Sequence, residues 1–145
     1  MRITKHTDFA LRVLIYLAVR PGERVSTKSI ADANGISTAH LQKVVRGLGE
    51  LGYLQLHRGS GGGVELAREP VDVLVGDVVR ALDDATSLVE CFEPATDACV
   101  ISPACRLKGV LHVAQEAFYA ALDDTTLEEL VAGKVGQRLR SLTGE

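Results

Sequence analysis

Asn34-Gly35 separates two short apolar periodicities that follow each other closely, and a chain punctuated in this way has few folds open to it. Before the break, Ser26 or Thr27 can cap a helix carrying Ile30, Ala31 and Ala33. Asparagine and glycine tolerate positive φ, so the chain turns tightly here, and Ser37 restarts it as the N-cap of a second helix. That helix runs to about Leu51, with Leu41, Val44, Val45, Leu48 and Leu51 inward and Ser37, Thr38, His40, Lys43 and Arg46 on the outer face. A further helix precedes the pair: from Thr7 onward, Ala10, Leu11, Leu14, Leu17 and Ala18 form one stripe ending near Pro21-Gly22. Two short helices joined by a glycine turn make a helix-turn-helix.

Gly52 ends the last of these helices, and Tyr53-Leu54-Gln55-Leu56 and Val64-Glu65-Leu66 then read as two strands around a glycine-rich tip, His57 to Gly63. Taken alone such a tip is a flexible hairpin. Directly after a basic helix-turn-helix it reads as a wing, because glycines let the backbone approach phosphates while Arg58 can enter the negative potential of a narrow minor groove. The charge distribution agrees. Residues 1–68 hold ten Lys/Arg against five Asp/Glu, and residues 69–145 hold six against fourteen. A basic half suits DNA, RNA or an acidic surface. On double-stranded DNA, Thr27, Lys28 and Lys43 are candidate phosphate contacts, Ser37, Thr38, His40 and Arg46 can reach base edges or backbone, and Arg58, Gly59 and Ser60 form the wing contact.

At 145 residues the chain fits one core or two small ones, and Arg68-Glu69-Pro70 is a plausible boundary between a 1–68 winged helix-turn-helix and a 69–145 remainder. The remainder reads as a short helix around Val75 to Leu82, a cysteine-bearing loop, and a longer helix from about Pro103 to Asp123. On that helix Leu107, Val110, Leu111, Ala114, Ala117, Phe118, Ala121 and Leu122 follow a 3.6-residue period. A lone amphipathic helix of this length needs a partner, and an isologous homodimer also suits a pseudo-palindromic operator; packing of the helix within its own chain is the alternative. Leu127 to Glu145 reads as a solvated terminal helix or frayed tail without assigned function. The expected fold class is mainly α with a small β-hairpin wing, a winged helix-turn-helix plus a long dimerisation helix.

Cys91, Cys99 and Cys105 occupy the loop, with seven residues in the first gap, five in the second, and Pro94 and Pro103 opposing regular helix. Structural zinc sites usually pair ligands two to four residues apart, a pattern absent here, whereas wider loops reach round an iron-sulfur cluster. Thiol redox switching and plain buried cysteines remain open on spacing alone. An odd cysteine count argues against a disulfide framework. No segment is apolar for the eighteen residues a membrane span needs, and Arg2, Lys5, Asp8 and Arg12 open the chain without a cleavage site, so a cytoplasmic protein is expected. An enzyme, such as a small thiol or iron-sulfur oxidoreductase, finds little support without a Cys-x-x-Cys pair or a nucleotide-binding glycine loop.

The opening run Met1 to Arg12, the Arg58-Gly59-Ser60-Gly61-Gly62-Gly63 wing and the three-cysteine loop together resemble the Rrf-two family of regulators, over almost the whole chain. The run Ala114 to Leu122 resembles the dimer helix of that family's nitric oxide-sensing repressors. The first cysteine gap is wider than is typical of the family. Its cluster-assembly branch places a histidine three residues after the last cysteine, where this chain has Lys108. The resemblance implies a homodimeric repressor holding one iron-sulfur cluster per subunit, of the 4Fe-4S or the 2Fe-2S type. It implies Cys91, Cys99 and Cys105 as ligands, and Asp8 of the partner subunit as the fourth. From the residues themselves, Asp8 is a first-turn carboxylate favoured by the helix dipole, and Glu90, Glu93, Asp97, His112 and Glu116 are the alternatives to it. Nitric oxide is the implied signal. A regulator of the same fold that senses iron, cluster supply or redox state is the alternative.

Overall fold

Hydroxyl caps set where the first three helices begin. The computed structural model of the chain describes residues 3–59, 61–83 and 87–144. The Thr4 side chain accepts from the Thr7 amide at the start of α1 (Lys5–Ala18), Ser26 from Ser29 at the start of α2 (Thr27–Asn34), and Ser37 from His40 at the start of α3 (Thr38–Glu50). Each cap satisfies an amide that the helix leaves without a partner, worth about 1 kcal/mol. Between α2 and α3, Gly35 takes the left-handed conformation at φ 63°, where a side chain would be strained. The helix-turn-helix follows from these local choices, as the sequence implies.

The wing is an antiparallel pair, β1 (Leu54–His57) and β2 (Gly63–Leu66), with Leu54 opposite Leu66 and His57 opposite Gly63. Val25, between α1 and α2, adds a bridge to Val64, with amide-to-carbonyl distances of 3.0 and 2.8 Å. The base of the wing is thereby sewn to the start of the helix-turn-helix. Val64 also reaches the core, where it joins Ala10, Val13, Leu14 and Leu17 of α1 and Leu41, Val44 and Leu48 of α3. Burial of side chains of this size contributes about 1.5–3 kcal/mol each, so α1, with seven buried residues, is the element on which the others assemble.

The same core takes in residues beyond 68. Val73 and Val78 belong to it, the latter from α4 (Val75–Asp83), as does Leu127 from the short α6 (Leu127–Leu130). At the end of α4, Asp83 accepts from the wholly buried Thr7 hydroxyl at 2.6 Å. The long helix α5 (Arg106–Asp123) returns against α4, fixed by a bidentate Arg80–Asp123 pair and by the Arg80 guanidinium over the Tyr119 ring at 4.6 Å. Three-residue 3-10 turns at Pro70–Asp72, Glu90–Phe92 and Ser102–Ala104 punctuate the connections.

The chain's last stretch is not a frayed tail. Helix α7 (Gly133–Leu142) is held against the segment that follows α1 by ion pairing and backbone contacts. Arg140 donates to the Val19 carbonyl at 3.1 Å and pairs with Glu23 at 2.6 Å. Arg20, only 5% exposed, stacks on Tyr16 at 3.9 Å and donates to the Thr143 hydroxyl at 3.0 Å. Periodicity missed this because the attachment is made by cationic side chains reaching across 117 to 123 residues of sequence.

Gly76 sets how closely α4 approaches α5. A Cβ there would stand 1.9 Å from Asp123 Oδ1 and 3.0 Å from its amide nitrogen. Gly76→Ala should therefore cost about 1–3 kcal/mol, as overpacked sites do, read as a lower urea midpoint; an unchanged midpoint would mean the approach is not that tight. The Arg80 hydrogen bonds hold the Asp123 carboxyl below its ordinary value. A depressed folded value stabilises above the unfolded one, so the gain is present at neutral pH and lost as pH falls through the folded value. Asp123→Asn should accordingly flatten the acid limb of the stability curve.

Candidate functional site

Helix α3 turns Leu41, Val44, Val45 and Leu48 into the core, and the opposite face is free. His40, Lys43 and Arg46 are exposed on it, as is the cap residue Ser37, while Thr38 is half-buried. The Ser37 oxygen already accepts the His40 amide, which leaves its proton for a partner. On α2, Thr27 is half-buried and Lys28 exposed. Lys28 pairs with Asp32 at 2.5 Å and Arg46 with Glu50 at 3.2 Å, each one turn along its own helix. Exposed pairs of this kind contribute about 0.2–0.5 kcal/mol, so a phosphate can displace either carboxylate at small cost.

Three residues of this face were not singled out from the sequence. Gln42 is exposed on α3 between His40 and Arg46; its amide suits bidentate contact with an adenine edge, and its place four residues from Thr38 and Arg46 was the available signal. Lys5 and His6, from the first turn of α1, line a cleft of about 210 Å³ with Phe9, His40, Lys43 and Val44. No periodicity could reveal that, because the cleft forms between two helices.

On the wing, Arg58 is exposed, and among the described residues it pairs with no carboxylate. Gly59 beside it has φ +88°, and Ser60 lies outside the described residues. A Cβ at Gly62 would meet the His57 carbonyl oxygen at 2.5 Å, so the tip closes only with glycine there. Below the tip Glu65 receives His57 at 2.5 Å and Arg24 at 3.7 Å. Arg24 and His57 at the base are thus engaged with Glu65, and Arg58 at the tip is exposed.

The cysteine loop starts in the 3-10 turn that holds Cys91, which is buried; Cys99 and Cys105 are half-buried, and all three are free thiols. Phe92 meets His112 of α5 edge-on, with centroids 5.8 Å apart. Cys105 occupies the N-cap position of α5 without a side-chain capping bond, so its sulfur remains available. Asp97 accepts from the Cys99 amide at 3.1 Å and the Ser102 hydroxyl at 2.6 Å, and Lys108 turns back to both Ser102, at 3.1 Å, and Asp97, at 3.5 Å. These bonds hold the Asp97 carboxyl below its ordinary value, the Ser102 hydroxyl foremost. A cleft of about 550 Å³ runs alongside, lined by Cys91, Glu93, Lys108, His112 and Gln115 among others. In the single chain, Gln115 Oε1 is buried with no hydrogen-bond partner among the described residues.

Among the described residues no three Cys, His, Asp or Glu side chains stand close enough together to hold a metal ion. In kind, however, the donors fit an iron-sulfur cluster: three unpaired thiols on one loop built of short turns. Bringing their sulfurs onto a cluster requires the turns to adjust. Asp8 stands in the first turn of α1, half-exposed and paired with Arg12 at 2.8 Å. Of the other carboxylates and imidazole, Glu90, Glu93, His112 and Glu116 are exposed, and Asp97 is engaged with Ser102 and Lys108. Among the described residues no helix is long and apolar enough to cross a membrane.

Comparison with known proteins agrees with this architecture. The Rrf2 family pattern, described as an iron-dependent transcriptional regulator, matches residues 3–133. The HTH-type transcriptional regulator NsrR of Bacillus subtilis (strain 168) is 49% identical over 135 residues, covering 92% of this chain and 92% of the relative. NsrR of Geobacillus kaustophilus (strain HTA426) is 44% identical over 146 residues, covering 100% and 98%. Among solved structures, T. potens IscR superposes with a TM-score of 0.72 at 26% identity, over 90% of this chain and 86% of that one. The oxidized form of Staphylococcus aureus CymR gives 0.70 at 29% identity, over 90% and 95%. The winged helix-turn-helix, the long helix after a cysteine loop and these relatives agree: the chain belongs to the Rrf2 (Rrf-two) family of DNA-binding transcriptional regulators and is not an enzyme.

Proposed function

We propose that this protein is a homodimeric, cluster-dependent repressor that releases its operator in response to nitric oxide. The observation that carries the reading is the position of α1: both α3 and α4 pack on it, while its first turn bears Asp8. Anything that engages that turn acts on the helix that braces the DNA-facing surface. The extensive likeness to relatives named NsrR supports the same reading.

In this account residues 1–68 read DNA and residues 69–145 hold the cluster and the dimer. Cys91, Cys99 and Cys105 are the thiolate ligands, and Asp8 of the partner subunit is the fourth. When bound, the cluster supplies iron that reacts with nitric oxide. Asp8 would hold one subunit's α1 against the other's cysteine loop and so fix the separation of the two α3 helices. Losing that tie frees them. A shift in operator occupancy of the size regulation needs corresponds to a few kcal/mol between the two states, a factor of ten in affinity for each ~1.4 kcal/mol.

The dimer face is α5. Leu107, Val110 and Val113 are 60%, 63% and 68% exposed there, and Ala114, Ala117 and Ala121 are also exposed, so a second copy can approach closely and cover the stripe. On DNA, Arg58 and Gly59 contact the minor groove with Ser60, and Thr27, Lys28, Ser37, Thr38, His40, Lys43 and Arg46 contact the major groove and flanking phosphates. Lys5 and His6 add to the phosphate contacts beside His40 and Lys43.

Two measurements test this reading. Anaerobically purified protein should contain iron and acid-labile sulfide and absorb in the visible, and Cys91→Ala, Cys99→Ala or Cys105→Ala should each lose the chromophore. Asp8→Ala should keep sulfide but alter cluster stability or the response to nitric oxide; wild-type behaviour would remove Asp8 from the ligand set. Separately, Arg58→Ala should weaken operator binding and lower the slope of log affinity against log salt by about 1. An unchanged affinity and slope would take the wing out of the DNA interface.

A further inference from the structure

We propose that Lys108 is a positioning residue for the cysteine loop, holding Asp97 and Ser102 against the first turn of α5 so that Cys99 and Cys105 are set relative to each other before any cluster binds. This rests on the cluster-ligand reading above. Two successive turns link the cysteines through the backbone: the Ser102 amide donates to the Cys99 carbonyl at 3.1 Å, and the Cys105 amide donates to the Ser102 carbonyl at 3.4 Å. Ser102 is therefore the joint between them. Its hydroxyl donates to Asp97 Oδ2 at 2.6 Å and accepts from Lys108 Nζ at 3.1 Å. The other Asp97 oxygen receives the Cys99 amide at 3.1 Å. Lys108 also reaches Asp97 Oδ2 at 3.5 Å, and the Asp97 side chain is only 16% exposed.

The network is charge-assisted at both ends, which makes its bonds shorter and about twice as strong as neutral ones. Its anchor is on a regular helix, whereas the segment it holds is made of turns. Removing the Lys108 ammonium leaves a largely buried carboxylate with two hydrogen bonds and no cation, so the turn loses its attachment to α5. None of these bonds involves Cys91, which is set by the Glu90–Phe92 turn and the contact of Phe92 with His112. Lys108 thus acts on two of the three sulfurs and spares the third. Its positive charge lies in the first turn of α5, of which Cys105 is the N-cap residue, and net charge is one of the levers that set a cluster's reduction potential.

Lys108→Met, Asp97→Asn and the conservative Lys108→Arg separate these roles. In the reduced, metal-free protein, amide exchange at residues 99–105 should speed about tenfold or more in Lys108→Met and Asp97→Asn, the loss expected for a hydrogen bond to a charged group. Exchange at Phe92 and Glu93 should stay at the wild-type rate, and Lys108→Arg should behave as wild type. In the cluster-loaded protein, Lys108→Met should release iron to a chelator faster and lower the reduction potential, and Lys108→Arg should restore both. Wild-type exchange in Lys108→Met overturns the proposal, as does faster exchange with unchanged iron release and potential. A wild-type protein that takes up no cluster would instead sink the ligand reading, and the metal-free exchange would still decide whether Lys108 orders the loop.

Discussion

The Thr7 hydroxyl, wholly buried and donating to Asp83 at 2.6 Å, ties the start of α1 to the end of α4. The rest of the architecture depends on that junction. Helices α2, α3 and α4 and strand β2 all pack on α1, α5 packs on α4, and the turn that holds Cys91 packs on α5. The Thr7 hydroxyl also stands 2.9 Å from that of Thr4, so the cap of α1 and the end of α4 meet in one hydrogen-bonded group. It holds the start of α1 and the end of α4 in register. Arg20, Arg140, Glu23 and Thr143 latch α7 onto the segment just after α1.

Much of the DNA-facing half is written locally, which is why it can be read from the residues. Ser26 and Ser37 cap, Gly35 turns, and the apolar spacing of α3 chooses its inner face, all within a few residues of one another. What escapes such reading is non-local. The bridge from Val25 to Val64, the cleft that adds Lys5 and His6 to the α3 face, and the attachment of α7 each depend on residues brought together from separate segments. The charge count divides the chain near residue 68, yet Val73, Val78 and Leu127 share the core of the first half, because burial follows shape and not net charge.

The cysteine loop shows a different limit. Its three thiols could be picked out by residue type, and their spacing leaves several chemistries open. The structure adds what spacing cannot: which sulfurs share a hydrogen-bonded segment and which side chain holds it. Lys108, which in the sequence only distinguishes this chain from a branch with histidine at that position, is in the fold a strut between helix and loop. Likewise α5 reads as an amphipathic helix, and in the fold Leu107 and Val110 of its apolar stripe are more than half exposed in the single chain while Leu111, Phe118 and Leu122 are half-buried.

The central claim is that the state of the cysteine loop controls DNA affinity through α1. Its most direct test is the affinity of anaerobically purified, cluster-containing protein for a duplex selected from a random-sequence pool, measured before and after stoichiometric nitric oxide at one fixed salt concentration. The account predicts tight binding that falls by tenfold or more, about 1.4 kcal/mol or greater, as the visible chromophore bleaches. Equal affinity before and after bleaching would contradict it, because the loop would then be chemically altered without any effect on the helix that reads DNA.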